Sequence, residues 1–213
     1  MTTNPFPQNR PRLDWGAALG WSAGVGVPLL SWCFVQRQAW ALLTLESIAD
    51  GRLYTLWTGH LLHFTFEHFI WDALMFACFA ALLWREQRWR LWLWLLMAAP
   101  LISIAVFWFD PQLTEYRGLS GLDTMLFARF CLGIGLRSKG WDRLLFGWLP
   151  LIGLSAKIFF ECITGTAYFV SDLGPGVVPM PSAHLTGLLL GALWMLIDQQ
   201  TRSRSCKSMR PNS

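Results

Sequence analysis

The sequence predicts an all-α, polytopic membrane protein in which six transmembrane helices form a single domain. Three observations predict it. Of the 213 residues, 54% are hydrophobic and only 14% charged, with a mean hydropathy of +0.39, whereas soluble domains carry about a quarter charged residues. Residues 15–36, 91–109 and 173–197 contain no Lys, Arg, Asp or Glu, and each run is long enough to cross a hydrocarbon core of about 30 Å as a helix. Twelve of the seventeen Lys and Arg residues fall in the two termini and in alternate loops between the spans, the bias that marks the cytoplasmic side.

The elements follow in order. Residues 1–12 are polar, with Pro5, Pro7 and Pro11, and read as a mobile cytoplasmic N-terminus. The run 15–36 is a retained first span, because no A-x-A-like site followed by a soluble, polar chain marks it as a cleaved signal. A long outer loop, 36–56, leads to a second span over 57–84, which polar residues interrupt. Arg85, Arg88 and Arg90 set its inner border, and the Trp residues bunched over 84–94 form an aromatic belt at the headgroups. The third span is 91–109, followed by an outer loop over 110–118. The fourth span, 119–136, ends at the basic inner loop of Arg137, Lys139 and Arg143. A fifth span over 144–171 and a sixth over 173–197 complete a membrane domain covering 13–200, and 201–213 is a basic, mobile cytoplasmic tail. Only Arg37, Arg52 and Arg117 lie in outer loops, while Arg129 and Lys157 lie within spans. Both termini are therefore expected in the cytoplasm.

The net charge of +4 comes from the inner loops and tail, which implies attraction to anionic lipid headgroups; no nucleic-acid-binding module is present. The five cysteines have no C-x-x-C spacing, so neither disulfides nor a metal are expected, and no cofactor is called for.

Ionisable groups at membrane depth are costly, and each is a candidate functional residue. The second span carries His60, His63, Glu67, His68 and Asp72; the fourth opens with Gly118, Leu119, Ser120, Gly121 and then Asp123; the sixth opens with Pro181, Ser182, Ala183 and His184. Depth along the helices tests whether they share a site. With Arg85, Arg137 and Arg202 as border markers, His68 lies 17 residues before its marker, Ser120 17 and His184 18. At 1.5 Å per residue this puts all three at roughly 25 to 27 Å from the inner border, toward the outer side.

A Ser hydroxyl and an imidazole meeting at that level have a known use. The hydroxyl is a weak nucleophile until a base removes its proton, and His suits that task near neutral pH. Ser120 begins its helix, where free N–H groups and the positive dipole end favour an oxyanion. Gly118 and Gly121 allow close approach of backbone and substrate. His68 adds a side-chain donor. Gly187 and Gly191 follow His184 at small-residue spacing, which draws the sixth helix onto the fourth.

Together these residues resemble the rhomboid family of intramembrane serine proteases, whose G-x-S-G and A-H-x-x-G-x-x-x-G elements are intact at 118–121 and 183–191. The resemblance spans about 57–198. It implies a six-helix bundle with a water-filled cavity open to the outer side. It also implies a Ser-His dyad of Ser120 and His184, and cleavage near the boundary of a substrate's transmembrane helix. The oxyanion site it implies involves His68, Asp72, Leu119 and Gly118. Within the family the stretch Tyr116 to Gly121 and the Lys157-x-x-x-Glu161 pair are similar to the rhombosortases, bacterial inner-membrane enzymes thought to process C-terminal Gly-Gly sorting tails. The expected partners are thus the lipid bilayer and the transmembrane segments of substrate proteins, with the active site facing the periplasm. Two positions depart from the family. Asp72 stands where an Asn amide donates to the oxyanion, and Thr124 stands where many members place a Tyr under the His ring. Lys157 and Glu161 are expected to neutralise each other across one helical turn, and His60 and His63 to be structural.

Three rival functions weigh less. A haem or metal site has four His to draw on, but their spacing and depth do not match. The Pro181–His184 stretch is similar to the P-S-G-H element of acid phosphatases, whose other two motifs are missing. A catalytically inactive rhomboid-like protein that binds membrane helices is kept open by Asp72 alone.

Overall fold

The computed structural model describes residues 24–26, 28–29, 31–36, 38–166 and 179–208. Within them the chain is helical, with no strand beyond one isolated antiparallel bridge between Leu43 and Tyr116.

Two short helices, α1 (Leu45–Ala49) and α2 (Thr55–Thr58), fold the segment before the first long helix into a compact cap. Thr44 and Ser47 form a reciprocal capping box on α1, and Ser47 Oγ lies 3.1 Å from Thr55 Oγ1, so the start of α1 is satisfied and tied to α2. Helix α3 (Phe66–Gln87) begins at Thr65, whose hydroxyl accepts from His68 N at 3.2 Å. This start is later than the sequence suggests. Residues 57–58 end α2, and 59–65 form a 3-10 turn and non-helical chain, because Gly59 presses against Leu43 and His60 is buried.

Helix α4 (Trp89–Phe109) follows after a single residue, Arg88, at φ 51. Helix α5 (Ser120–Arg137) comes next, then α6 (Gly140–Thr164), which contains a π-helical stretch at Arg143–Trp148. Gly165 ends α6 in the left-handed conformation at φ 65, the usual glycine stop. Helix α7 (Pro181–Ser208) starts at a proline, whose missing N–H and fixed φ suit the first helical position. It continues into the basic tail.

Among the described residues α3, α4 and α6 are long and apolar enough to cross a membrane. Helices α5 and α7 occupy the positions of the predicted fourth and sixth spans. Half of the predicted first span, and residues 167–178 at the junction of the fifth and sixth, lie outside the described residues. Helix α5 carries Asp123, Arg129 and Arg137, and the first two are buried. It tolerates them because it is the central helix, packed by α3, α4, α6 and α7. Helix α6 lies at the periphery, with Ile152, Phe159 and Ile163 exposed.

Small residues set the spacing around α5. A Cβ on Gly187 of α7 would lie 2.1 Å from Gly121 O, and one on Gly191 2.6 Å from Met125 O. A Cβ on Gly147 of α6 would meet Gly135 Cα at 2.5 Å. Backbone therefore packs on backbone at both crossings, the close approach that small residues allow between membrane helices.

The end of the bundle away from the α1–α2 cap is held by charge. Arg129, fully buried, donates to Asp198 Oδ2 at 2.5 Å, while Arg90 reaches Oδ1 at 2.6 Å and Gln87 reaches Oδ2 at 2.9 Å. Asp198 thus joins α7 to α3, α4 and α5. Glu86 gathers Arg137 and Arg202 beside it.

Candidate active site

The start of α5 is built by three segments that converge on Gly118. Tyr116 N donates to Leu43 O at 3.0 Å and Gly118 N to Gly59 O at 3.4 Å, so the segment that precedes α3 fixes the chain entering α5. His60 reinforces this from below. Its Nε2 lies 2.9 Å from Ala99 O and 3.0 Å from Ser103 Oγ, and its Nδ1 3.2 Å from Gly118 O. Both ring nitrogens are engaged, as a structural histidine requires.

Gly118 has φ 122, a region that side chains avoid, and a Cβ there would lie 2.9 Å from the His68 ring and 3.2 Å from Asp72 Oδ2. Only glycine leaves room for that ring. Asp72, one turn along α3 from His68, accepts a 2.8 Å hydrogen bond from Leu119 N. Its Oδ2 is also 3.3 Å from both His63 Nε2 and His68 Nε2. His63 is clamped through its backbone, donating to Gln36 Oε1 at 2.9 Å and accepting from the same amide. Its ring Nε2 faces Asp72 Oδ2.

The four residues expected to surround an oxyanion, His68, Asp72, Leu119 and Gly118, thus form one cluster. Asp72 uses its carboxylate to hold the backbone that leads into Ser120. The N–H groups of Ser120, Gly121 and Leu122, in the first turn of α5, have no intrahelical acceptor.

Ser120 is half-buried, and its carbonyl accepts from Thr124 Oγ1 at 2.7 Å. His184 is buried in the first turn of α7. The two first turns abut: a Cβ on Gly121, next to Ser120, would lie 3.2 Å from the carbonyl of Ala183, next to His184. Among the described residues no hydrogen bond joins Ser120 Oγ to the His184 ring; the ring is instead held from α6. His184 Nδ1 lies 2.7 Å from Glu161 Oε2 and 3.2 Å from Lys157 Nζ, and Lys157 Nζ is 2.8 Å from Glu161 Oε1.

The sequence places Lys157 and Glu161 on one face of α6 but does not link them to His184. The border ruler could have done so, since Glu161 is 18 residues from Arg143 and therefore roughly 27 Å from the inner border, level with His184. As to metals, no group of three or more His, Cys, Asp or Glu among the described residues is arranged to hold an ion.

A family model described as Rhomboid domain matches residues 50–201. No curated protein matches the chain.

Proposed function

Since the chain belongs to the rhomboid family, whose members are generally serine proteases acting within the membrane, we propose that it hydrolyses peptide bonds at the membrane boundary of anchored proteins, with Ser120 as nucleophile and His184 as base. The observation that carries this reading is the interlock of the two helix starts at Gly121, Ala183 and Gly187, which brings the ends bearing Ser120 and His184 together. Catalytic hydrogen bonds are commonly long or misaligned before substrate binds, so the resting separation of hydroxyl and ring is compatible with it.

In the reaction, Ser120 Oγ attacks the scissile carbonyl carbon as its proton passes to His184 Nε2, and the carbonyl oxygen takes the negative charge. The free N–H groups of the first turn of α5 and the positive end of its dipole face that charge, with the His68 ring beside them over Gly118. His184 then gives its proton to the departing amine, and water releases the acyl group by the same steps reversed. Asp72 serves by holding Leu119 N; as an acceptor it orients the turn and does not donate to the oxyanion.

The loop charges favour six spans with both termini and the basic loops on the cytoplasmic side, and the resemblance to the rhombosortases supports a bacterial inner membrane with the site toward the periplasm. The stretch Tyr116 to Gly121 and the Lys157–Glu161 pair point to the rhombosortase subgroup, and so to exported proteins with C-terminal Gly-Gly sorting tails as substrates. Replacing Ser120 by Ala in the host and comparing membrane and secreted proteomes tests this. Uncleaved C-terminal tails accumulating in the membrane are expected; unchanged tails would leave a protein that binds helices without cutting them.

A further inference from the structure

We propose that Glu161 is a positioning residue for the reaction, which makes the site a Glu161–His184–Ser120 relay; the proposal rests on the reading of Ser120 and His184 as the catalytic pair. A carboxylate can only accept a hydrogen bond, so at 2.7 Å from Glu161 Oε2 the Nδ1 of His184 carries the proton. That fixes the tautomer. Nε2 is left with its lone pair free, the form a base must have.

Lys157 accounts for the other oxygen. Its ammonium is a donor only, so its 3.2 Å approach to a protonated Nδ1 is no hydrogen bond, and its partner is Glu161 Oε1 at 2.8 Å. One carboxylate therefore receives a cation on one oxygen and an imidazole N–H on the other. The Glu161 side chain is 2% exposed, and a buried carboxylate at membrane depth needs such pairing. Neutralising Lys157 needs only the partner one turn along α6; it does not need the second oxygen to reach another helix. Among the described residues no aromatic ring stacks on His184, which leaves Glu161 to hold the ring's orientation.

During attack the Oγ–H bond breaks as the Oγ–C bond forms, and the proton goes to Nε2. The resulting imidazolium lies between Ser120 and a carboxylate that remains ionised. The proton then leaves Nε2 for the amine as the C–N bond breaks, and Glu161 is never protonated.

The test uses full-length protein in lipid nanodiscs. Fluorophosphonate labelling of Ser120 gives the inactivation rate constant and the probe's affinity separately, and 15N spectra of the four histidines give the His184 tautomer. For Glu161→Gln we expect the rate constant to fall by about 10²–10⁴-fold, with probe affinity unchanged and the Nδ1–H signal lost. Glu161→Asp should recover part of the rate. The double variant Lys157→Met/Glu161→Leu removes both charges and the acceptor facing Nδ1, leaves no ammonium stranded, and should show the same loss in a folded chain. A wild-type protein that labels at Ser120, with either the Gln variant or the double variant labelling at the same rate and keeping the tautomer, overturns the relay and leaves the protease standing. No Ser120 labelling in the wild type overturns both.

Discussion

Replacing Gly187 by Ala adds one methyl group at the tightest contact between α5 and α7. Its Cβ would lie 2.1 Å from Gly121 O, 3.1 Å from Gly121 C and 3.1 Å from Thr124 Cβ, where ordinary contact begins at 3.4 Å. The first two neighbours are backbone and cannot swing aside, so the helices must part by about 1.3 Å at this point. Overpacking of this kind costs about 1–3 kcal/mol. Its effect on chemistry should be larger, because Gly121 adjoins Ser120 and Gly187 is one turn from His184, and a 1 Å misplacement of reacting groups can cost about 10²-fold in rate. Gly153 is the control. It lies exposed on α6 with nothing within 4 Å of its Cβ position, so Gly153→Ala should change neither property. The assay is cleavage of a transmembrane reporter in nanodiscs, with unfolding followed by titration with a denaturing detergent. Wild-type turnover by Gly187→Ala would show that the glycine interlock does not set the geometry of the site.

Two further outcomes follow from the charged contacts. Asp198→Asn removes the nearer of the buried Arg129's two carboxylate partners, leaving Glu86 Oε1 at 3.4 Å, and should destabilise the bundle by about 3 kcal/mol, whereas the Arg129→Met/Asp198→Leu pair should recover most of that in the same detergent titration. Asp72→Asn keeps an oxygen that can accept from Leu119 N and should stay within about tenfold of wild-type turnover, while Asp72→Ala frees the start of α5 and should lose about 10²-fold; equal activities in the reporter assay would show that Asp72 does not hold the turn.

Much of this arrangement is legible in the sequence because the bilayer constrains it. Depth follows from helical rise, so counting residues from basic border markers aligns His68, Ser120 and His184 before any packing is known. Glycine spacing on α7 likewise announces its contact with α5. Other features depend on contacts distant along the chain. The late start of α3 is set by Gly59 packing on Leu43 and by His60 reaching Ala99 and Ser103, and no local pattern encodes those partners. The i,i+4 spacing of Lys157 and Glu161 correctly gives a salt bridge, but its completeness as a local pair conceals the second oxygen, which faces His184. Asp72 reads as an obstacle to oxyanion binding when considered alone; its bond to Leu119 N gives it a different task.

The proposed chemistry requires His184 to make Ser120 nucleophilic across two helices. It is tested most directly by treating the purified, membrane-reconstituted chain with a fluorophosphonate and locating the adduct by mass spectrometry. We predict a single phosphonylated residue, Ser120, with labelling abolished in His184→Ala while that variant unfolds at the wild-type detergent concentration. An adduct on another residue, or undiminished Ser120 labelling without the imidazole, would contradict it.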